Sequence, residues 1–83
     1  MIRILPLHAE VEEYLKTRKL TKKFFKQRTL FEKNPFHPSL HTELLEPKSF
    51  RIWSFRVDQK YRALFIFHKE DIVEIIDINN HYK

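Results

Sequence analysis

Between positions 51 and 78 the chain reads as three apolar runs, 51–57, 61–68 and 72–78. They are joined only by Asp58-Gln59-Lys60 and Lys69-Glu70-Asp71. A three-residue connection joins antiparallel neighbours, because a parallel return needs a dozen residues or more. More than a third of the chain is thereby committed to an antiparallel meander.

The rest of the sequence must fit around that sheet. Positions 40–45 read as another strand, which Glu46-Pro47-Lys48-Ser49 turns. Ile2-Arg3-Ile4-Leu5 alternates like a short first strand, and Pro6 closes it. Between these lie two stretches of helical period. In the first, about 8–17, Val11, Tyr14, Leu15 and Arg18 recur at spacings of three and four. In the second, about 19–33, Leu20, Phe24 and Phe31 form an apolar stripe, while Lys19, Lys22, Lys23 and Lys26 lie opposite at i, i+3, i+4, i+7. Asn34-Pro35 ends this helix, since a residue before proline is pushed out of the helical region. The order β-α-α-β-β-β predicts an α+β domain over 1–83. Two N-terminal helices pack on one face of a twisted, mainly antiparallel sheet.

Composition narrows the chemistry. There is no cysteine among the 83 residues, so disulfides, thiolate metal sites and a thiol nucleophile are excluded. Glycine is also absent. Positive-φ positions then fall to Asn or Asp, with Asn34 and Asn79-Asn80 the natural candidates. No apolar run approaches the roughly 20 residues of a membrane span. The apolar N-terminal stretch is followed by acids, unlike a secretion signal. The expected location is the cytoplasm. Net charge is +5, and it is unevenly placed. Seven basic residues and no acid lie between Tyr14 and Phe31. Such a face is either plainly solvated or made for phosphates or an acidic protein.

Alternation along the strands separates two faces. Trp53, Phe55 and Val57 share one face with Tyr61, Ala63, Phe65 and Phe67, and this set reads as core. Ile52, Ser54 and Arg56 share the other with Arg62, Leu64, Ile66 and His68. Two arginines on neighbouring strands thus lie on the face away from the helices. His37 and His41 have the spacing of a helical metal pair, but Pro38 lies between them and no metal site is expected. The last apolar run stops at Asn79-Asn80, and His81 and Tyr82 follow it.

These residues carry a resemblance. Asn-Pro-Phe-His-Pro-Ser-Leu at 34–40, Trp-Ser-Phe-Arg-Val at 53–57, Tyr-Arg-Ala-Leu-Phe at 61–65 and the closing Asp-Ile-Asn-Asn-His at 77–81 occur in order. Together they resemble the RelE/ParE superfamily of bacterial toxin–antitoxin toxins, nearer its ribonuclease branch, such as YoeB and YafQ. Where that pattern carries glycine, this chain reads Phe50-Arg51-Ile52 and Asn79-Asn80. The resemblance implies a ribosome-dependent endoribonuclease that cleaves messenger RNA without a metal or other cofactor. Glu43 and His81 would act as base and acid, with the two roles exchangeable, and Glu46 stands near enough to replace Glu43. Arg56 and Arg62 would stabilise charge on the phosphate, and Tyr82 would stack on a base or hydrogen-bond the phosphate. Lys19, Lys22, Lys23 and Lys26 would bind ribosomal RNA, and a cognate antitoxin would be the natural protein partner. His37 and His41 are reserves for acid–base work, with loop ordering the expected role. One rival is a ParE-like poison of DNA gyrase, which shares the fold and needs no acid–base set. The other is a non-catalytic basic module that only binds RNA.

Overall fold

The structure, a computed structural model, describes residues 1–80. Strand β1 (Arg3–Ile4) is followed by helices α1 (Ala9–Thr17) and α2 (Thr21–Lys33), and then by β2 (Glu43–Leu44), β3 (Trp53–Arg56), β4 (Arg62–Lys69) and β5 (Ile72–Asn79). The sheet order is β1-β5-β4-β3-β2. All pairings are antiparallel except β1 with β5, which is parallel. The fold is therefore α+β, with four strands after the two helices, β2 being the one expected at 40–45.

The core lies between the helices and one face of the sheet. Val11, Leu15, Leu20, Phe24 and Phe31 come from the helical half, and Phe55, Ala63, Phe65, Val73, Ile75 and Ile78 from the strands. Four phenylalanines form its centre. The Phe31 ring lies 4.9 Å from both Phe55 and Phe65, and Phe24 stacks on Phe55 at 6.2 Å. Offset and edge-to-face pairs of this kind add about 0.5–1.5 kcal/mol each beyond area burial. Trp53 departs from the expected burial. It starts β3, at the end of the sheet, so it is only half-buried and packs edge-on against Phe36 and Phe67.

Two irregularities in β4 and β5 reposition side chains. Leu64 faces Asp77 whereas Phe65 faces Ile75, so Ile76 is an extra residue on β5. That bulge lets Ile75 and Ile78 both enter the core although they are three apart. It also keeps Asn79 opposite Arg62. Beyond it, His68 is an extra residue on β4.

Positive φ angles fall at Lys19, His41 and Arg51, not at the asparagines; Asn34 is extended, at φ −157°. Lys19 ends α1 in a Schellman turn. Its N–H reaches the Lys16 carbonyl, and the Leu20 N–H reaches the Leu15 carbonyl at 2.8 Å. This is a place where glycine is favoured, and a side chain there costs on the order of 1 kcal/mol. The gain is geometric: Leu20 turns inward, 2% exposed, as the cap of α2. Lys19 is thus outside α2, which corrects the four-lysine helical stripe to Lys22, Lys23 and Lys26. The expected strand at 40–45 is likewise reduced to Glu43–Leu44. A 3₁₀ turn (Pro38–Leu40) and the left-handed His41 occupy its first half.

His8, at the start of α1, meets Glu74 of β5. Its Nε2 lies 2.5 Å from Glu74 Oε2, and His68 Nε2 lies 2.7 Å from Oε1. Bonding to His68, then to His8, holds the Glu74 carboxyl below its ordinary value of 4.5. A carboxyl with a lowered folded-state value stabilises the fold above its ordinary pKa, and that contribution is lost as pH falls through the lowered value. Glu74→Gln is therefore expected to melt below wild type at pH 6, with the gap closing as pH falls through that lowered value. Melting curves across that range check this; a gap that stays constant would show that the clasp contributes nothing through charge.

Candidate functional site

The site forms on the sheet face away from the helices, where β2, β3 and β4 lie side by side. Glu43 pairs with Ser54, and Arg56 pairs with Arg62. Directly opposed residues share a face, so Glu43, Ser54, Arg56 and Arg62 all project to this side.

Arg62 is its anchor. It is 3% exposed, and its guanidinium is held by three groups. Ser54 Oγ accepts from Nη2 at 2.9 Å and from Nε at 3.3 Å, and the His41 carbonyl accepts from Nη2 at 2.7 Å. Glu43 Oε1 stands 3.8 Å from Nη2, with its side chain 42% exposed. A buried cation needs such partners, since desolvation costs several kcal/mol per ion. The bonds fix the direction of the planar fork, leaving it pre-organised for an anion. Local folding explains how this carbonyl comes to accept from Arg62. His37 caps the 3₁₀ turn by accepting from the Ser39 N–H through Nδ1 at 3.1 Å. That turn delivers His41 in the left-handed region at φ 48°, and the His41 carbonyl reaches Arg62.

Of the candidate residues, Glu43 and Arg62 come together and Arg56 stands beside them on β3. Glu46 is exposed and precedes the turn at Pro47. His37 orders its loop, as expected, and His41 contributes its backbone. Lys22, Lys23 and Lys26 are exposed on α2, with Lys23 Nζ 3.2 Å from Asp58 Oδ2. His81 and Tyr82 lie outside the described residues. β5, however, ends at Asn79 opposite Arg62, two positions before His81 in sequence. Sequence reasoning missed Ser54 as a ligand of Arg62. Alternation placed both on one face, and only the strand register brings their atoms together. Among the described residues, no group of three or more His, Cys, Asp or Glu side chains is placed to hold a metal ion, and no helix is long and apolar enough to cross a membrane.

No protein-family profile matches the chain, and no curated protein matches it in sequence. Solved structures do match in shape. The YoeB–YefM toxin–antitoxin heterotetramer from Staphylococcus aureus contains a chain that superposes with a TM-score of 0.70 at 17% identity, covering 99% of each chain. The YoeB/ParE toxin from Agrobacterium tumefaciens superposes with a TM-score of 0.70 at 17% identity, covering 98% of this chain and 100% of that one. The chain has the YoeB/ParE toxin fold. A copper-bound mutant toxin from Helicobacter pylori shares it as well, with a TM-score of 0.70 at 14% identity over 98% of this chain and 96% of that one. The superpositions run over nearly the full length on both sides.

Proposed function

We propose that this chain is the toxin of a type II toxin–antitoxin system and that it cleaves messenger RNA on the ribosome. One observation carries the reading: a buried, hydrogen-bonded Arg62 with a part-exposed carboxylate, Glu43, 3.8 Å from its guanidinium. Here the cation is fixed and the carboxylate remains open to a ligand.

The chemistry follows from the groups present. Glu43 takes the proton from a ribose 2′-hydroxyl, and the 2′ oxygen attacks the adjacent phosphorus. Arg62, assisted by Arg56, stabilises the charge that develops on the phosphoryl oxygens. His81 protonates the departing 5′ oxygen, as an imidazole titrating near neutrality can. Tyr82 stacks on or hydrogen-bonds the nucleotide. The products are a 2′,3′-cyclic phosphate and a 5′-hydroxyl. The basic surface of α2 meets ribosomal RNA, and an antitoxin like those bound to the S. aureus relatives covers the toxin when it is silent.

Expression from a tightly controlled promoter, followed by mapping of messenger RNA 5′ ends, tests the proposal. New ends at defined codon positions are expected. Breaks in DNA trapped with gyrase, and no new RNA ends, would instead assign the chain to the gyrase poisons.

A further inference from the structure

The sheet face that carries the site is not covered by the helices, which pack on the other side. Strand register sorts its side chains into rows. Arg56 opposes Arg62, and Ser54 opposes Leu64 with Glu43 on its other flank. The next row continues the same register. The Leu45 N–H donates to the Ile52 carbonyl at 2.8 Å, and Ile52 precedes Trp53, the partner of Phe65. Leu45, Ile52 and Ile66 therefore stand side by side. Together with Leu64 they are half-buried, and none of the four enters the core on the helix side. The site thus adjoins an open aliphatic strip. Arg62 leans toward it, since its guanidinium bonds Ser54, one row nearer the strip than Arg62 itself. On β5 the outer row ends at Glu74, opposite Ile66.

Successive rows on one face lie two residues apart along a strand, about 7 Å. A nucleotide covers that span from its phosphate to its base. With a phosphate on the Arg62 guanidinium, the base reaches Leu64 and the Ile52–Ile66 pair. The Glu74 carboxylate repels a phosphate and keeps the backbone of a bound strand at the arginine end. We infer that this strip is a base subsite: Ile52, Leu64 and Ile66 seat the nucleobase next to the phosphate that Arg62 holds. The inference rests on the RNA reading above and adds to it a contact with the base. An aliphatic floor holds a base by contact area alone. Its side chains carry no hydrogen-bonding group, and the backbone inside a sheet is engaged in its own ladder. The subsite therefore favours purine over pyrimidine by size and does not tell adenine from guanine, which differ in the hydrogen-bonding groups on their edges.

The test uses short single-stranded 2′-O-methyl oligoribonucleotides, which cannot undergo 2′-hydroxyl attack, with one abasic residue moved through the sequence position by position. In wild type, removing the base at one position should weaken binding about five- to tenfold, the scale of a methylene-sized apolar contact or two. The double variant Ile52→Thr/Ile66→Thr keeps β-branched residues that suit a strand and removes apolar surface. Its abasic penalty should fall below about twofold, the signature of a coupled pair in a double-mutant cycle. Its slope of log K against log salt should match wild type, because no phosphate contact is touched. Ile66→Leu keeps the apolar surface and should keep the penalty. No abasic penalty at any position in wild type would overturn the inference, and that result needs no variant. So would a full penalty in the double variant, or a double variant that loses a protein partner and keeps the penalty. Base-dependent binding by a protein that never cuts messenger RNA would uphold the subsite and remove the nuclease reading alone. Messenger RNA cleavage by a protein that binds intact and abasic oligonucleotides alike would do the reverse.

Discussion

Glu43→Gln and His81→Ala are each expected to slow messenger RNA cleavage by about 10²–10⁴-fold, the contribution of one positioned acid or base. The glutamine keeps the size of Glu43 and its contact distance from Arg62, so the fold should be unaffected while the proton acceptor is lost. Glu46→Gln is the control, because Glu46 is exposed and has no contact with Arg62 among the described residues. Its rate should stay at the wild-type level. Arg62→Ala removes a pre-organised donor to the developing charge and should cost about 10²–10³-fold. It also removes a buried cation whose partners, Ser54 and the His41 carbonyl, are left unpaired, so it must be read beside a melting curve. Arg62→Lys separates the two effects. Lysine supplies the charge but not the fork that Ser54 and His41 hold, so activity should stay low in a folded protein. Equal rates for Glu43→Gln and wild type would remove Glu43 from the chemistry.

Phe65→Ala is expected to cost about 3–5 kcal/mol, the range for truncating a fully buried phenylalanine. The ring is 0% exposed and touches Phe31, Phe55 and Phe67 at centroid distances of 4.9–5.8 Å. Its loss opens a cavity where the longer helix meets the central strand, a place that cannot collapse without moving both. A domain of this size has a total stability of only about 5–15 kcal/mol, so a melting temperature lowered by well over ten degrees is expected. Phe36→Ala, at 54% exposure, should shift the melt far less. A shift of only a degree or two for Phe65→Ala would show that this residue does not hold the helices to the sheet.

What was legible in the sequence was what local period decides. The short polar turns required the antiparallel meander, and alternation placed Phe55 and Phe65 inward and Arg56 and Arg62 outward. Three features depended on more than period. The neighbour of Arg62 is a matter of register: β2 is two residues long, and only its pairing with β3 puts Glu43, and not Glu46, beside the guanidinium. The bulge at Ile76 breaks the alternation that a sequence reading assumes for β5. The His8–Glu74 contact joins residues 66 apart, which no local pattern reveals. The positive φ angles teach a different lesson. Without glycine, asparagine was the reasonable substitute, yet the chain uses Lys19, His41 and Arg51, because tertiary position overrode preference at each. Arg51, at φ 57°, lies in the stretch where the resemblance noted a missing glycine, so that gap did mark a real backbone demand.

Attack by a ribose 2′-hydroxyl, assisted by Glu43 beside Arg62, is the central claim. Single-turnover cleavage on programmed ribosomes tests it most directly, using messenger RNA that carries either ribose or 2′-deoxyribose at the mapped cleavage nucleotide. The ribose message should be cut to a 2′,3′-cyclic phosphate and a 5′-hydroxyl, and the deoxy message should remain whole at that position. Equal cutting of both messages, or fragments carrying a 5′-phosphate, would contradict it.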